Sequence, residues 1–344
     1  MNLVFTLCSN NYLAQAITLG DTLFQFNPDY KFIIGLVDRK NEIFDYSKIQ
    51  YELLEVEKIG IANFNEMILR YDIVELNTSV KPFYFKYFFT TEKPETIIYL
   101  DPDIQIFAPL SDLEKELTNH DIVITPHFFT PINDDKWQAE EDFLNAGIYN
   151  LGFIALKNTI NSLKMVEWWA ERLRTKAFID YRRGLFTDQI WITFVPLFFE
   201  NVKVLKHLGY NVAYWNLHER LISNRDGVYF INDNIPLVFY HYASYRPLNP
   251  SIISSGQKRF TFESRPEITP LFRNYCELVF KNEYENLANI KCHFVEIRGN
   301  HVKKKLNDIK QKTPIYKRAM SKIVNKVIRK FGLVLDYTKL LTND

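Results

Sequence analysis

Two aspartates separated by one proline, in the stretch IIYLDPDIQIF, are the residues whose types and spacing most directly suggest chemistry. In an extended chain, residues i and i+2 point to the same side, so the carboxylates of Asp101 and Asp103 face one place. Pro102 favours extended backbone before it and removes an N–H that would need a partner. Carboxylates held together repel unless a cation joins them, and their oxygens suit Mg²⁺ or Mn²⁺ with positions left for a diphosphate. The alternative is a plain turn after a strand.

The elements around this pair indicate an α/β fold. Short apolar runs, each followed by a stretch with helical periodicity, are LVFTL, KFIIGLVD, ETIIYL and DIVIT. Such alternation predicts a mostly parallel sheet, whose ligands bind beyond the carboxyl ends of the strands. Asp38 and the aspartate pair stand at such ends. The polar, proline-containing segment 126–146 predicts a long loop over the same edge.

Several further stretches occur in a fixed order with the aspartate pair: TLCSNNYLAQAITLGDTL, KPFYFKYFF, GIYNLGFIAL, GLFTDQIW, GYNVAYWNLHER and YHYASYRP. Together they resemble GT-A nucleotide-sugar glycosyltransferases of the bacterial type similar to glycosyltransferase family 8. The resemblance covers residues 1–250 and implies a Rossmann-like, mostly parallel central sheet with flanking helices. A helical extension is predicted over 251–290, followed by a basic amphipathic tail over 291–344.

The resemblance also implies a role for residues within these motifs. The implied metal ligands are Asp101, Asp103 and His241, with Mn²⁺ or Mg²⁺ as cofactor. The implied donor-binding residues are these three and Thr6, Leu7, Cys8, Asp38, Lys86, Asn150, Gly152 and Asn216. The implied catalytic residues are Asp188 and Gln189.

Each of these positions has a structural alternative. Leu7 and Cys8 could be strand core, Lys86 a solvated helix residue and Asp188 a helix cap. The sequence NAG at 145–147 competes with Asn150 and Gly152 for the same motif register. After His241, the chain reads HYASYRP where the family commonly has a His-Phe-Ser-Gly run, and the missing glycine departs from the local diphosphate contact.

The implied reaction transfers a hexose from a UDP-sugar to a hydroxyl of a glycan or lipid-linked acceptor in bacterial surface polysaccharide synthesis. Retention of anomeric configuration follows from the resemblance, whereas an inverting enzyme would use a carboxylate such as Asp188 as general base. Two other classes remain open. One is a phosphatase of the haloacid-dehalogenase type, which also uses a DxD after a strand. The other is a non-catalytic sugar-binding protein that uses the aromatic residues, which form 15% of the chain.

Charge divides the chain unevenly. The net charge is +1, yet residues 291–344 contain 14 Lys and Arg against 4 Asp and Glu, so the preceding body is acidic. Apolar residues at spacings of three and four between Tyr316 and Phe331, with basic residues opposite, predict an amphipathic helix. It could bind an anionic membrane, pack on the body or form a dimer contact. Nucleic-acid binding is disfavoured, because the body is acidic and no known motif accompanies the basic residues.

Composition and cysteine usage exclude further classes. Three cysteines without CxxC or Cys/His spacing argue against a disulfide framework or a structural zinc site. The sequence has no run of about 18 apolar residues and no basic leader before its first apolar run. We therefore expect a cytoplasmic protein held peripherally on the inner face of the cell membrane.

Overall fold

A computed structural model describes residues 1–312, with side chains for residues 1–306. The strands of this part are β1 Asn2–Cys8, β2 Lys31–Leu36, β3 Glu52–Glu55, β4 Thr96–Leu100, β5 Ile104–Ile106, β6 Ile122–Pro126, β7 Tyr149–Lys157, β8 Ile179–Asp180, β9 Leu185–Phe186, β10 Val202–Val204, β11 Ile222–Arg225, β12 Val228–Ile231, β13 Ile235–Pro236 and β14 Phe239–His241. Its α-helices are α1 Leu13–Phe26, α2 Phe64–Arg70, α3 Ile73–Ser79, α4 Lys81–Thr91, α5 Ser111–Asn119, α6 Glu140–Ala146, α7 Ile160–Lys176, α8 Gln189–Ile192, α9 Val195–Phe198, α10 Thr269–Lys281, α11 Tyr284–Leu287 and α12 His293–Lys312.

A seven-stranded sheet in the order β10-β6-β7-β4-β1-β2-β3 forms the centre of the described part. All neighbouring pairs are parallel except those of β7, which runs antiparallel to both β4 and β6. The predicted mostly parallel sheet is therefore confirmed. Because β7 is reversed, its first residues lie at the edge where β4 and β6 end.

Both faces of the sheet are covered, which explains why its strands read as nearly continuous apolar runs. Side chains alternate along β1, with Val4 in the core beneath α1, α5 and α10, and Leu3 and Phe5 in the core beneath α2, α4 and α7. Phe5 packs against four aromatic rings, from Tyr84, Phe85, Phe88 and Tyr99. This packing anchors α4 directly over the strands that lead into the aspartate pair.

Two local expectations change. The helical periodicity before β4 is divided into α2, α3 and α4, since Asp72 forms a capping box that starts α3 and Pro82 lies in the first turn of α4. The segment 126–146 is a loop only at first, because its last seven residues form α6. Arg259 fixes this segment, because its Nε donates to both carboxylate oxygens of Asp134 and its Nη2 donates to the carbonyls of Lys136 and Gln138.

The C-terminal part packs onto the sheet domain. Leu271 and Tyr275 of α10 and Leu287 of α11 enter the same core as α1. At the start of α12, Phe294 packs edge-on against Phe64, with ring centroids 5.3 Å apart. Within residues 1–312, no helix combines the length and apolar character needed to cross a membrane. The amphipathic helix predicted between 316 and 331 lies outside the described residues.

Candidate metal and nucleotide site

The aspartate pair forms the connection between β4 and β5. The N–H of Ile104 donates to the carbonyl of Asp101 at 3.2 Å, so the turn that the sequence left open is present. The N–H of Asp101 donates to the carbonyl of Gly152 at 2.8 Å, which ties the pair to the first residues of β7. The Tyr99 hydroxyl donates to Asp101 Oδ1 at 2.6 Å. These contacts orient both carboxylates beyond the end of the central strand.

His241 meets the aspartate pair because β14 pairs antiparallel with β5, placing His241 opposite Ile104. Its Nε2 lies 3.1 Å from an Asp103 oxygen and 3.6 Å from an Asp101 oxygen, with the side chain only 4% exposed. One ligand atom from each of the three residues falls within 4.8 Å of the others. The structure thus brings together the three residues that the sequence suggested as metal ligands.

A buried amide pair fixes the orientation of the His241 ring. Asn211 Nδ2 donates to Asn150 Oδ1 at 2.9 Å, which leaves Asn211 Oδ1 to contact His241 Nδ1 at 3.2 Å. An amide oxygen can only accept, so Nδ1 carries the proton and a neutral His241 presents the Nε2 lone pair to the two carboxylates. Three electron-rich atoms facing one another fit a divalent cation.

The charges of the Asp101, Asp103 and His241 cluster also favour a bound cation. Burial disfavours the charged form of His241, but the carboxylates of Asp103 and Asp101 outweigh it and raise the pKa of the imidazole. Burial raises the pKa of Asp101, and Asp103 adds to this, while Lys81 and His241 oppose it. In the absence of another cation the cluster therefore tends to retain protons.

Space for the His241 ring is provided by Gly152. A Cβ on this residue would lie 2.4 Å from His241 Cε1 and 2.7 Å from Nδ1. The resemblance implied a donor-binding role for Gly152; in the structure, the absence of a side chain at this residue leaves room for the His241 ring. Of the two stretches that competed for the motif register, Asn150 and Gly152 lie on strand β7, whereas Asn145 belongs to helix α6.

A buried ion pair lies beside the cluster. Lys81 Nζ is 2.6 Å from Asp188 Oδ2, donates to the carbonyl of Leu151 at 2.8 Å and lies 4.1 Å from the centre of the Tyr99 ring. Since the Tyr99 hydroxyl also donates to Asp101, Tyr99 contacts both the Lys81 ammonium group and the Asp101 carboxylate. Asp188 has no hydrogen bond that caps α8, so the capping alternative does not apply.

Lys86, the cation that the sequence suggested, does not reach this place. It forms an ion pair with Glu167 at 3.1 Å and its side chain is 51% exposed. Five residues along an α-helix correspond to a rotation of about 140° from Lys81, which turns Lys86 to the outer face of α4. Lys86 is therefore a solvated helix residue, which was the alternative for this position. Lys81 is the buried cation, and the sequence did not reveal it.

Three side-chain amides suggested for sugar contact or catalysis are instead engaged within the protein. Gln189 Oε1 accepts from the Leu151 N–H at 3.1 Å and its Nε2 donates to the carbonyl of Ala146 at 2.9 Å. Asn216 donates to the carbonyls of His127 and Asn211 and accepts from the N–H of Ala213. Asn150 supports Asn211 and also accepts from the Gly152 N–H. These hydrogen bonds connect the segments that surround the aspartate pair and His241.

A cleft of about 220 Å³ opens between the end of β1, helix α3 and the aspartate pair. Its lining residues are Leu7, Cys8, Ser9, Asn11, Tyr12, Ile73, Val74, Asn77, Thr78, Tyr99, Asp101, Pro102 and Asp103. Beyond Phe5, β1 has no partner residue on β4, so this end of β1 borders the cleft. Leu7 and Cys8 belong to this lining, and both are also almost fully buried in the core, as the alternative for these residues predicted.

Thr6 and Asp38 are not brought to this cleft. Thr6 is fully buried in β1 and is absent from the lining. The Asp38 carboxylate accepts from the side chain of Asn10 at 2.8 Å and from the backbone N–H groups of Arg39 and His293, each at 2.8 Å. It thereby joins the end of β2 to the start of α12, a contact that no local pattern reveals.

Arg246 is a further residue that the sequence analysis missed. It is exposed, and its charge lowers the pKa of the Tyr12 hydroxyl, which burial and Asp103 raise. Tyr12 lines the cleft, so the charge of the guanidinium group acts on a residue of the cleft wall. The arginine occurs in the SYRP stretch that departs from the family run, which is the signal that could have identified it.

No protein-family model matches the chain. Among solved structures, the galactosyltransferase LgtC, crystallised with donor and acceptor sugar analogs, is similar with a TM-score of 0.50 and 14% identity, covering 82% of this chain and 96% of LgtC. The chain has the GT-A fold. This confirms the fold that the ordered motifs implied.

Two relatives of Bacillus subtilis (strain 168) share this chain's sequence more closely. The uncharacterized protein YfnF is 28% identical over 253 residues, which cover 70% of this chain and 80% of YfnF. The uncharacterized protein YfnD is 24% identical over 254 residues, which cover 70% of this chain and 76% of YfnD.

The GT-A fold places the Asp101–Asp103–His241 cluster at the sheet edge where ligands bind in open α/β sheets.

Proposed function

We propose that this protein is a metal-dependent glycosyltransferase. It would transfer a hexose from a UDP-sugar to a hydroxyl of a glycan or lipid-linked acceptor in bacterial surface polysaccharide synthesis. The observation that carries the proposal is the convergence of Asp101, Asp103 and His241 Nε2 beside a cleft at the ligand-binding edge of a GT-A sheet. The fold favours this function over the phosphatase that the DxD alone left open.

The ligand atoms of Asp101, Asp103 and His241 fit Mn²⁺ or Mg²⁺. The two carboxylates supply hard oxygens, and the contact of His241 Nδ1 with Asn211 leaves Nε2 free to bind a metal ion. When bound, such an ion supplies positive charge that stabilises a diphosphate leaving group. The protein adds two cations of its own. Lys81 is fixed beside the cluster by Asp188 and the Leu151 carbonyl, and the exposed Arg246 acts electrostatically on Tyr12 of the cleft wall. Both would favour the charge that develops on the diphosphate.

The arrangement supports a retaining reaction. Among the residues that line the cleft, the carboxylates are those of the two proposed metal ligands. Asp188, the suggested general base, is buried and paired with Lys81, so deprotonating an acceptor hydroxyl would disrupt a buried ion pair. We therefore assign Asp188 the role of positioning Lys81, and Gln189 the role of supporting β7.

A donor panel tests the proposal. The full chain is incubated with several UDP-hexoses, with and without Mn²⁺, and release of UDP is measured. We expect metal-dependent turnover of at least one donor, and a loss of at least 100-fold in Asp103→Asn, since a ligand carboxylate is removed. Asp112→Asn, in the first turn of α5 and outside the cleft lining, is the matched control and should keep full turnover.

Two results would overturn it. If no UDP-sugar is turned over while sugars bind, the sugar-binding alternative is correct. If Asp103→Asn keeps full turnover, the cluster is not the reactive site.

The basic tail supplies the proposed location. Each basic residue near an anionic surface contributes about 1 kcal/mol of attraction, so the 14 Lys and Arg of residues 291–344 favour a position on the inner face of the cell membrane. There the protein would meet a lipid-linked acceptor. We expect a chain ending at residue 302 to lose binding to phosphatidylglycerol vesicles that the full chain retains. Equal binding of both chains would show that the tail does not hold the membrane.

A further inference from the structure

A group of aromatic side chains lies at the surface where α7, α8 and α9 meet. Trp168 is at its centre, with its ring centroid 6.4 Å from that of Trp191 and 5.7 Å from those of Phe198 and Phe199. Phe198 in turn stacks on Phe194, with centroids 5.3 Å apart and an angle of 11° between the rings. Ring contacts therefore join these five residues into one surface.

Two aliphatic residues extend this surface. Leu197, which precedes Phe198 in α9, is 77% exposed, and Ile160 at the start of α7 is also exposed. Asn161 Nδ2 donates to the carbonyl of Glu200 at 2.7 Å, so the start of α7 lies beside the end of the aromatic group. We call the five aromatic residues, Leu197 and Ile160 the apolar patch. A contiguous exposed surface of this kind marks a contact site.

Basic side chains border the apolar patch. Lys164 and Arg172 lie four residues before and after Trp168, so all three share one side of α7. The Arg172 guanidinium lies 5.9 Å from the centre of the Trp168 ring. Lys176 Nζ lies 5.8 Å from the centre of the Trp191 ring. Two of the indole rings of the patch therefore have a cation beside them.

The border of the apolar patch has more positive than negative charge. Arg172 pairs with Glu171 at 3.2 Å. Among the described side chains, neither Lys164 nor Lys176 has an acidic group within 4.0 Å, and both are exposed. Glu200, which follows the last residue of the patch, offsets one of these two charges. The border is therefore positive, although the body of the chain is acidic.

We propose that the apolar patch is a membrane-contact surface that docks on an anionic lipid bilayer. Trp, Phe and Leu side chains flanked by Lys and Arg are typical of protein surfaces that lie in the interface of a membrane. The exposed side chains of Leu197 and Phe198 enter the boundary between headgroups and acyl chains. Lys164 and Lys176 then contact the negative headgroups.

Charge disfavours two other occupants of the apolar patch. A second copy that docked through the same patch would bring the cations of both copies toward one another, because a two-fold interface pairs a surface with itself. Residues 313–344 of this chain contain 7 Lys and Arg against 2 Asp and Glu, so the border repels them as well. An anionic bilayer is the occupant of opposite charge.

The apolar patch and the basic C-terminal segment approach the same side of the sheet. Arg70 Nη1 of α2 donates to the carbonyl of Arg174 in α7 at 2.7 Å. Phe64 of α2 packs against Phe294 of α12, and both belong to the core beneath α7. Helix α2 thus connects α7 to the helix that leads into the basic segment. The inference extends the proposed membrane location to a surface of the folded domain, where two weak contacts with one bilayer reinforce each other.

The test compares two aliphatic side chains of equal exposure. Leu197 is 77% exposed within the patch, and Ile43, in the loop after β2 and outside the patch, is 76% exposed. Binding of the full chain to phosphatidylglycerol vesicles is measured by cosedimentation. We expect Leu197→Ser to weaken binding about tenfold, since it removes one buried apolar side chain, and the matched control Ile43→Ser to bind like the wild type.

A second variant tests the charge of the border. Lys164→Ala should weaken binding to phosphatidylglycerol vesicles about fivefold, the effect of one basic residue near an anionic surface. Its weak binding to phosphatidylcholine vesicles should equal that of the wild type. Equal binding of wild type and Lys164→Ala to the anionic vesicles would contradict the role of the basic border.

The outcomes separate this surface from the transferase. Equal vesicle binding by Leu197→Ser and the wild type would overturn the inference. So would a dimer that dissociates in Leu197→Ser, seen by sedimentation velocity, while vesicle binding stays unchanged, because the patch would then join two copies. Neither result affects UDP release, since no residue of the patch lines the cleft. A chain that needs the patch for vesicle binding but turns over no UDP-sugar would refute the proposed function and leave this surface standing.

Discussion

Substituting Gly152 with alanine adds one carbon atom at the most crowded point of the proposed metal site. The new Cβ would lie 2.4 Å from Cε1 and 2.7 Å from Nδ1 of His241, and 2.9 Å from Oδ1 of Asn150. Ordinary contact between carbon atoms is about 3.5 Å, so one of the partners must move by about 1 Å. His241 cannot move freely, because its ring is buried and the Trp215 ring lies 5.2 Å away.

Two effects should follow together. Overpacking of this kind costs about 1–3 kcal/mol in the free energy of unfolding. A displaced imidazole also loses its alignment with the two carboxylates and with Asn211, and such losses lower metal affinity by about 10- to 100-fold. Mn²⁺ affinity is measured from the electron paramagnetic resonance signal of the free ion, and stability from urea denaturation of the same samples.

Gly299→Ala provides the matched control. A Cβ at Gly299, within α12, meets nothing within 4 Å. Alanine is the better helix former by about 1 kcal/mol, so this variant should be equal to or slightly more stable than the wild type, with unchanged Mn²⁺ affinity. If Gly152→Ala binds Mn²⁺ as tightly as the wild type and unfolds at the same urea concentration, the proposed seat of His241 is wrong.

Three further substitutions and conditions test other parts of the site. Lys81→Met leaves the Asp188 carboxylate buried without its partner and should lower the free energy of unfolding, measured with urea, by about 3–5 kcal/mol. Lys86→Met breaks an exposed ion pair and should change that free energy by less than about 1 kcal/mol. Burial lowers the pKa of His127 to about 4, below its unfolded value, so its contribution is complete above about pH 6.5 and is lost as pH falls toward 4. The free energy of unfolding, measured by urea denaturation, should therefore fall by up to about 3 kcal/mol over this pH range in the wild type and should lack this fall in His127→Gln. An equal dependence of unfolding free energy on pH in both chains would contradict this prediction. Arg246→Ala should weaken UDP binding about tenfold in calorimetry without altering the urea midpoint, and unchanged binding would remove Arg246 from the site.

Local patterns and the order of the motifs predicted the fold and the convergence of Asp101, Asp103 and His241. The positions of Asp101 and Asp103 follow from a strand end and a spacing of two, both visible in the sequence, and the order of the motifs implied His241 as their partner. The helix before β4 was also visible, but its orientation was not. Whether Lys81 or Lys86 faces inward depends on how α4 packs on Phe5, which no local pattern specifies.

Contacts between distant parts of the chain account for the other differences. Asp38 was expected beside the aspartate pair because it ends a strand, yet its carboxylate accepts from the N–H of His293 at the start of α12, 255 residues later. Asn150 and Asn216 looked like sugar contacts because amides suit hydroxyl groups. Their partners are instead backbone groups and Asn211, which are brought together only when the sheet and the residue 210–216 segment have packed.

The reversal of β7 has a consequence for how the site forms. Three consecutive residues at its start serve three separate parts of the site: Asn150 supports the amide that orients His241, Leu151 receives the Lys81 ammonium, and Gly152 accepts from Asp101. A slip of one residue in the pairing of β7 with β4 would turn every side chain of the strand to the opposite face and break all three contacts together. The three contacts therefore depend on one strand register, and a misregistered chain would be inactive as a whole rather than impaired in one function.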